Sequence, residues 1–244
     1  PTTLYLGAIA VVTLVHEGAL GTGLLALGAS PTLVALAAAL GVVPALTVAV
    51  SLVNGIVTRF VPPGVLPKMD FSKGLPQECR TLVVVPAILA SRADVTQLLS
   101  RLEIHWLANA DTNLQIALLG DLADAPQQAM PGDDDLVEAA TAGIRALNAR
   151  YGAVASGPFH FLHRARRWNA AEACWMGWER KRGKLVELNR LLAGDRTTSY
   201  TIHVGAPEAL RAIHFVITLD ADTELPREAA QRLAATLGHP LNCA

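Results

Sequence analysis

The chain has 244 residues, enough for one or two domains. Hydrophobic residues make up 52% and charged residues only 17%, with a mean hydropathy of +0.35, which is more apolar than an ordinary soluble domain and implies a membrane portion. A net charge of −1 with no basic face gives no case for nucleic acid as a partner. Cys79, Cys174 and Cys243 are too scattered for a zinc site or a disulfide framework, as in a reducing compartment. The sequence starts at Pro1 with no basic leader and closes on Cys243-Ala244 just past a helix-like segment, so both ends are expected to be cuts in something longer.

From Leu4 to Val57 the chain is almost wholly apolar, and no charged residue occurs between Gly18 and Thr58. A bilayer span needs about 20 apolar residues. Two spans are predicted, about 4–28 and 31–57, with Gly28-Ala29-Ser30 as the turn, Pro31 as a helix start and Pro44 as a kink. His16 and Glu17 fall near the middle of the first span, where a carboxylate costs roughly 2.5–3.5 kcal/mol. Glu17 is therefore expected to face protein. Arg59, Lys68, Lys73 and Arg80 follow the second span and place that side in the cytoplasm. Residues 61–79, opening with Val61-Pro-Pro-Gly-Val-Leu-Pro67, read as a linker.

Beyond it strands alternate with helices. Thr81–Pro86 reads as a buried strand stopped by Pro86, Asp94–Ala108 as a helix, and Leu114–Leu119 as a strand running into Gly120-Asp121. Asp133-Asp-Asp135 opens a helix to Leu147, the three acids complementing its dipole rather than gathering a metal. Phe159–His163 is a third strand and Arg180–Leu192 a helix. Such alternation favours a mainly parallel sheet with both faces covered.

The last strand, His214–Leu219, ends in Asp220-Ala-Asp222. On an extended chain two such carboxylates point the same way and form a seat for a hard cation, Mg²⁺ or Mn²⁺, that could grip a diphosphate. Strand ends are where open α/β sheets bind ligands. The same triplet also serves as a plain helix cap, with a helix starting near Glu228. Before it, residues 164–189 concentrate Arg and Lys with Trp168, Trp175 and Trp178. Cations around Gly183 suit a diphosphate and indoles suit a sugar or base; a solvated basic face over a tryptophan-filled core fits equally.

Leu66-Pro-Lys-Met-Asp-Phe-Ser-Lys-Gly74, Arg80-Thr-Leu-Val-Val-Val-Pro86, Trp175-Met-Gly-Trp-Glu-Arg-Lys-Arg-Gly-Lys-Leu185 and Phe215–Pro226 together resemble the glycosyltransferase region of cyclic β-1,2-glucan synthases, from about Pro62 onward. These are large bacterial inner-membrane enzymes that polymerise glucose from UDP-glucose. The resemblance implies a glycosyltransferase A-type, Rossmann-like α/β sheet over 80–244, incomplete and preceded by a transmembrane hairpin over 1–60. It implies that Asp220 and Asp222 are the catalytic metal pair, that Asp121 holds uracil or ribose, and that Pro86 and Ala87 lie near the nucleotide. It implies further that Lys181, Gly183 and Lys184 flank the diphosphate. UDP-glucose, a growing glucan chain, membrane lipid and the remainder of the polypeptide are the implied partners. A later general base and a Gln-x-x-Arg-Trp motif, both expected of such transferases, do not follow Asp222 here, so this stretch is expected to bind UDP weakly at most and not to transfer glucose alone. A membrane-anchored, non-catalytic scaffold is the alternative.

Overall fold

The computed structural model describes residues 2–152 and 157–242; Pro1, Cys243 and Ala244, remarked on above, lie outside them. The chain divides into two compact units, one up to Val65 and one from Leu66.

The first unit is a helical hairpin, α1 (Thr2–Ala26) and α2 (Pro31–Phe60). Both helices are long and apolar enough to cross a membrane. Gly28 takes the left-handed conformation (φ +80°) that the tight turn requires, and the Ser30 hydroxyl caps α2 by accepting from the Leu33 N–H. Pro44 sits inside α2 without ending it. Ile9, Ala49 and Val53 form the seam, and Tyr5 donates to Asn54 at 2.8 Å. Glu17 turns toward α2: its buried carboxylate has no hydrogen-bond partner among the described residues and lies over Gly41, where a Cβ would stand 3.0 Å from Oε1.

The second unit is a three-layer α/β fold. Its strands are β1 (Thr81–Leu89), β2 (Leu114–Leu122), β3 (Phe159–Arg164), β4 (Arg167–Asn169), β5 (Cys174–Met176), β6 (Tyr200–Val204) and β7 (Phe215–Thr218). The main sheet has the order β6-β3-β2-β1-β7, parallel except for the antiparallel edge strand β6. The central strands are buried on both faces and so read as near-continuous apolar runs. Helices α3 (Arg92–Asn109), α4 (Asp133–Tyr151) and α7 (Ala229–Leu237) cover one face with Leu98, Leu102, Ile144 and Ala234. Helices α5 (Arg180–Leu192) and α6 (Pro207–Arg211) cover the other with Leu188 and Leu210. From Leu66 the chain is docked on this unit: the Met69 N–H bonds the Ala235 carbonyl, and the Leu75 N–H bonds Asp111.

Three local differences from the sequence expectation have clear causes. The first strand does not stop at Pro86 but runs on to Leu89. The Val84 carbonyl accepts from Leu219, so Val84 faces β7 and position 86, two along, faces the same side. There β7 has already ended, opposite Val84 at Thr218, and the donor that proline lacks has no partner to miss. Asp220-Ala-Asp222 is not extended: the Thr223 N–H closes on the Asp220 carbonyl at 3.0 Å, so the acids lie on a turn and strand alternation does not govern them. The tryptophan-rich stretch contains a small separate hairpin, β4–β5. At three residues a strand, it is too short for its pattern to register.

Candidate functional site

The chain lays down β1, β2 and β3 in one direction and then returns to the far side of β1 as β7. The strand order therefore reverses between β1 and β7, and in open α/β sheets the crevice for ligands opens outside the carboxyl ends of the strands at such a point. Here β1 overruns β7 by Val85 to Leu89, leaving a step. Pro86 and Ala87 lie on the overhang, and the Asp220–Asp222 turn leaves β7 at the foot of it. Both acids are exposed. Asp220 is paired with Lys181 from the first turn of α5, and Asp222 has no hydrogen-bond or ion-pair partner among the described residues. One free carboxylate and one held by a displaceable ammonium, on an open turn, are donors of the type that fits a hard divalent cation.

The turn is positioned by α3. Arg101 donates to the Ala221 carbonyl, His105 Nδ1 accepts from the Leu225 N–H at 3.4 Å, the Ala108 carbonyl accepts from Glu228, and Asn109 Oδ1 accepts from Ala230 at 3.0 Å. Residues 101, 105 and 109 fall four apart, on one face of the helix. Burial pushes His105 below its usual range, in keeping with a neutral ring whose Nδ1 is an acceptor.

Beneath the open face lies a buried ionic quartet. Arg164, with a fully buried side chain, donates to both oxygens of Asp121 at 3.0 and 2.7 Å and approaches Glu187 at 3.8 Å. Lys184 donates to the Ala87 and Leu119 carbonyls (2.8 and 3.1 Å) and is ion-paired with Asp121 (3.2 Å). Burial pushes its ammonium down, against the pull of Asp121. Glu187 in turn receives the backbone N–H and hydroxyl of Ser199, fixing the approach to β6. Arg164 also grips the Trp178 and Arg180 carbonyls at 3.1 Å each. Between them, Glu179 and Arg180 are both left-handed (φ 51° and 45°), a strained pair of non-glycine residues at the start of α5.

The residues singled out from sequence are thus brought to one end of the sheet but not to one surface. Lys181, Asp220 and Asp222 are on the open side; Pro86 and Ala87 lie close by in the strand register but are themselves buried. Asp121 and Lys184 are buried, 5% and 3% exposed, and are engaged with each other and with Arg164. Gly183 is a packing position: a Cβ there would lie 2.0 Å from the Trp178 carbonyl. Asp133 begins α4 as expected of a dipole-complementing acid and is also paired with Arg166. Arg101, His105, Asn109, Arg164 and Glu187 were missed. The four-residue spacing of polar groups along a helix could have revealed the first three; nothing in a basic run marks Arg164 as buried.

Among the described residues, one group of three metal-type ligands lies close together, Asp124, Glu172 and Cys174, but Arg180 bridges its two carboxylates. The same region carries a cleft of about 570 Å³ lined by Arg167, Trp168, Trp178, Lys181 and Arg182 among others. A second cleft of about 500 Å³ lies at the opposite, amino-terminal edge of the sheet, at Arg80, Trp106 and Tyr151, away from the acidic turn.

Fold and site together define an open, mostly parallel α/β unit with an acidic turn at its switch point, preceded by two apolar helices. No family model matches the chain. It is 45% identical over 199 residues to the cyclic β-(1,2)-glucan synthase NdvB of Rhizobium meliloti (strain 1021), an alignment that takes in 82% of this chain and 7% of that protein. The likeness read from the motifs is thereby shown: the chain corresponds to a segment of a cyclic β-1,2-glucan synthase.

Proposed function

We propose that the chain is the donor-binding part of a membrane glycosyltransferase, with a glycosyltransferase A-type sheet, whose full-length form uses UDP-glucose to build β-1,2-glucan. The observation that carries the reading is the exposed Asp220–Asp222 turn at the strand-order reversal, faced by Lys181. Asp220 and Asp222 would hold Mg²⁺ or Mn²⁺, which when bound would supply a Lewis acid for the charge on departing UDP. Lys181, now on Asp220, is the nearest mobile cation for a diphosphate, and Pro86 and Ala87 form the adjoining wall. Arg164, Asp121, Lys184 and Gly183 hold the start of α5 in place beneath it. The two apolar helices anchor the protein in the bacterial inner membrane, with the α/β unit on the cytoplasmic side where Arg59 and Lys68 follow the second helix. The growing glucan and the remainder of the polypeptide complete the machine.

Calorimetric titration of UDP-glucose into the full-length parent, with and without Mn²⁺, tests this. Metal-dependent binding that is lost in both Asp220→Asn and Asp222→Asn is expected. Binding indifferent to metal and to both substitutions would refute it.

A further inference from the structure

The β4–β5 hairpin is unused by the donor-site reading, yet it is built with care. Trp168 and Trp175 pair directly across its two strands, rings 5.9 Å apart and tilted by 60°. Trp175 is thereby a brace, and Trp168 keeps 52% of its surface exposed; Trp178, just beyond the hairpin, keeps 41%. The hairpin is mounted rigidly. Trp175 exchanges two backbone hydrogen bonds with Ala125 (2.9 and 2.8 Å), and Arg180 ties Glu172 to Asp124. Arg166, just before β4, holds the Ala123 and Gln128 carbonyls and Asp133. Large aromatic rings held half in water by a stiff frame mark a recognition surface rather than an incomplete core.

The cleft beside them has the composition of a carbohydrate site. Trp168 and Trp178 offer apolar planes to the C–H faces of sugar rings. A sugar hydroxyl both donates and accepts, so a glucan needs acceptors as well as donors. Arg167 and Arg182 supply donors, Asn169 both, and Glu172 and Glu179 acceptors, all on the lining. The lining holds four cations against two carboxylates, but three of the cations are already paired, Arg180 with Glu172 and Asp124, Lys181 with Asp220 and Arg182 with Glu179, which suits a neutral ligand better than a second phosphate. Its volume falls within the range of about 300–1,000 Å³ usual for ligand sites. Lys181 also lines it and pairs with Asp220, so one side chain links the cleft to the acidic turn.

We infer that the Trp168–Trp178 cleft is a subsite for the neutral glucan chain, adjoining the donor position; this rests on the donor reading above. The test uses the full-length synthase in lipid nanodiscs with two probes, a short linear β-1,2-glucan and UDP with Mn²⁺. Trp168→Ala and Trp178→Ala are expected to weaken glucan binding at least tenfold and leave UDP affinity unchanged, with Trp168→Phe restoring most of it. Unchanged glucan affinity in both folded alanine variants overturns the inference, as does wild-type protein that ignores the glucan. Equal losses for glucan and UDP overturn it too, by assigning the indoles to the nucleotide. Failure of UDP to bind the wild type, with glucan binding intact, sinks the donor reading instead.

Discussion

Lys184→Met is the sharpest perturbation of the site's foundation. The buried quartet is balanced, with Arg164 and Lys184 against Asp121 and Glu187, and each side chain is at most 6% exposed. Methionine fills a similar volume but leaves one negative charge uncompensated and two carbonyls, of Ala87 and Leu119, without their donor. Removing one partner of a buried ion pair costs about 3–5 kcal/mol. For a unit of this size that is a fall in melting temperature of about 6–20 °C. The assay is thermal unfolding of the full chain in detergent, followed by tryptophan fluorescence. The decisive arm is Lys184→Met combined with Asp121→Asn, which restores the balance around Arg164 and Glu187. The pair should cost less than the two single changes added together, by about 1–3 kcal/mol. Strict additivity, or a single-variant loss under about 1 kcal/mol, would refute the balanced-quartet account.

Other outcomes follow from the same geometry. Burial drives His160 from its usual 6.5 down to about 3, and His105, His163 and His203 are also held below the usual value. Their contribution is complete above pH 6.5 and is lost as the pH falls, because the unfolded chain then takes up protons the folded one refuses. For His160 alone the loss is about 1.4 kcal/mol per pH unit, about 5 kcal/mol by pH 3, readable as falling urea midpoints across an acid series. Gly183→Ala should lower the melting temperature by at least about 5 °C, since its Cβ would strike backbone rather than a side chain that can swing away. Arg101→Leu frees the Ala221 carbonyl and should weaken Mn²⁺ binding about tenfold in titration while costing under about 2 kcal/mol of stability. An unchanged Mn²⁺ affinity would show that α3 does not set the turn.

The strands of the sheet core were legible because buried parallel strands spell long apolar runs, as Leu82–Val85 and Leu114–Leu119 do. The edge strand β6 was passed over although Tyr200-Thr-Ile-His-Val204 alternates as a half-buried strand does; at five residues the pattern is short, and Ser199 ahead of it depends on a partner on α5. At the site, Asp220 and Asp222 announce themselves by spacing. Which cations stay at the surface does not: Lys181 and Lys184, three residues apart in one helix, end respectively half-exposed and 3% exposed. That division is decided by where β1 and β2 leave carbonyls to be met, which no local pattern encodes.

Arg101, His105 and Asn109 also make α3 a gauge with fixed graduations. One residue inserted ahead of Arg101 would swing all three by about 100° around the axis and release the acidic turn at every hold simultaneously. Length variation should therefore be ruinous within two turns of Ser91. A library of single-residue insertions through this segment, screened for Mn²⁺ capture, would draw that boundary directly.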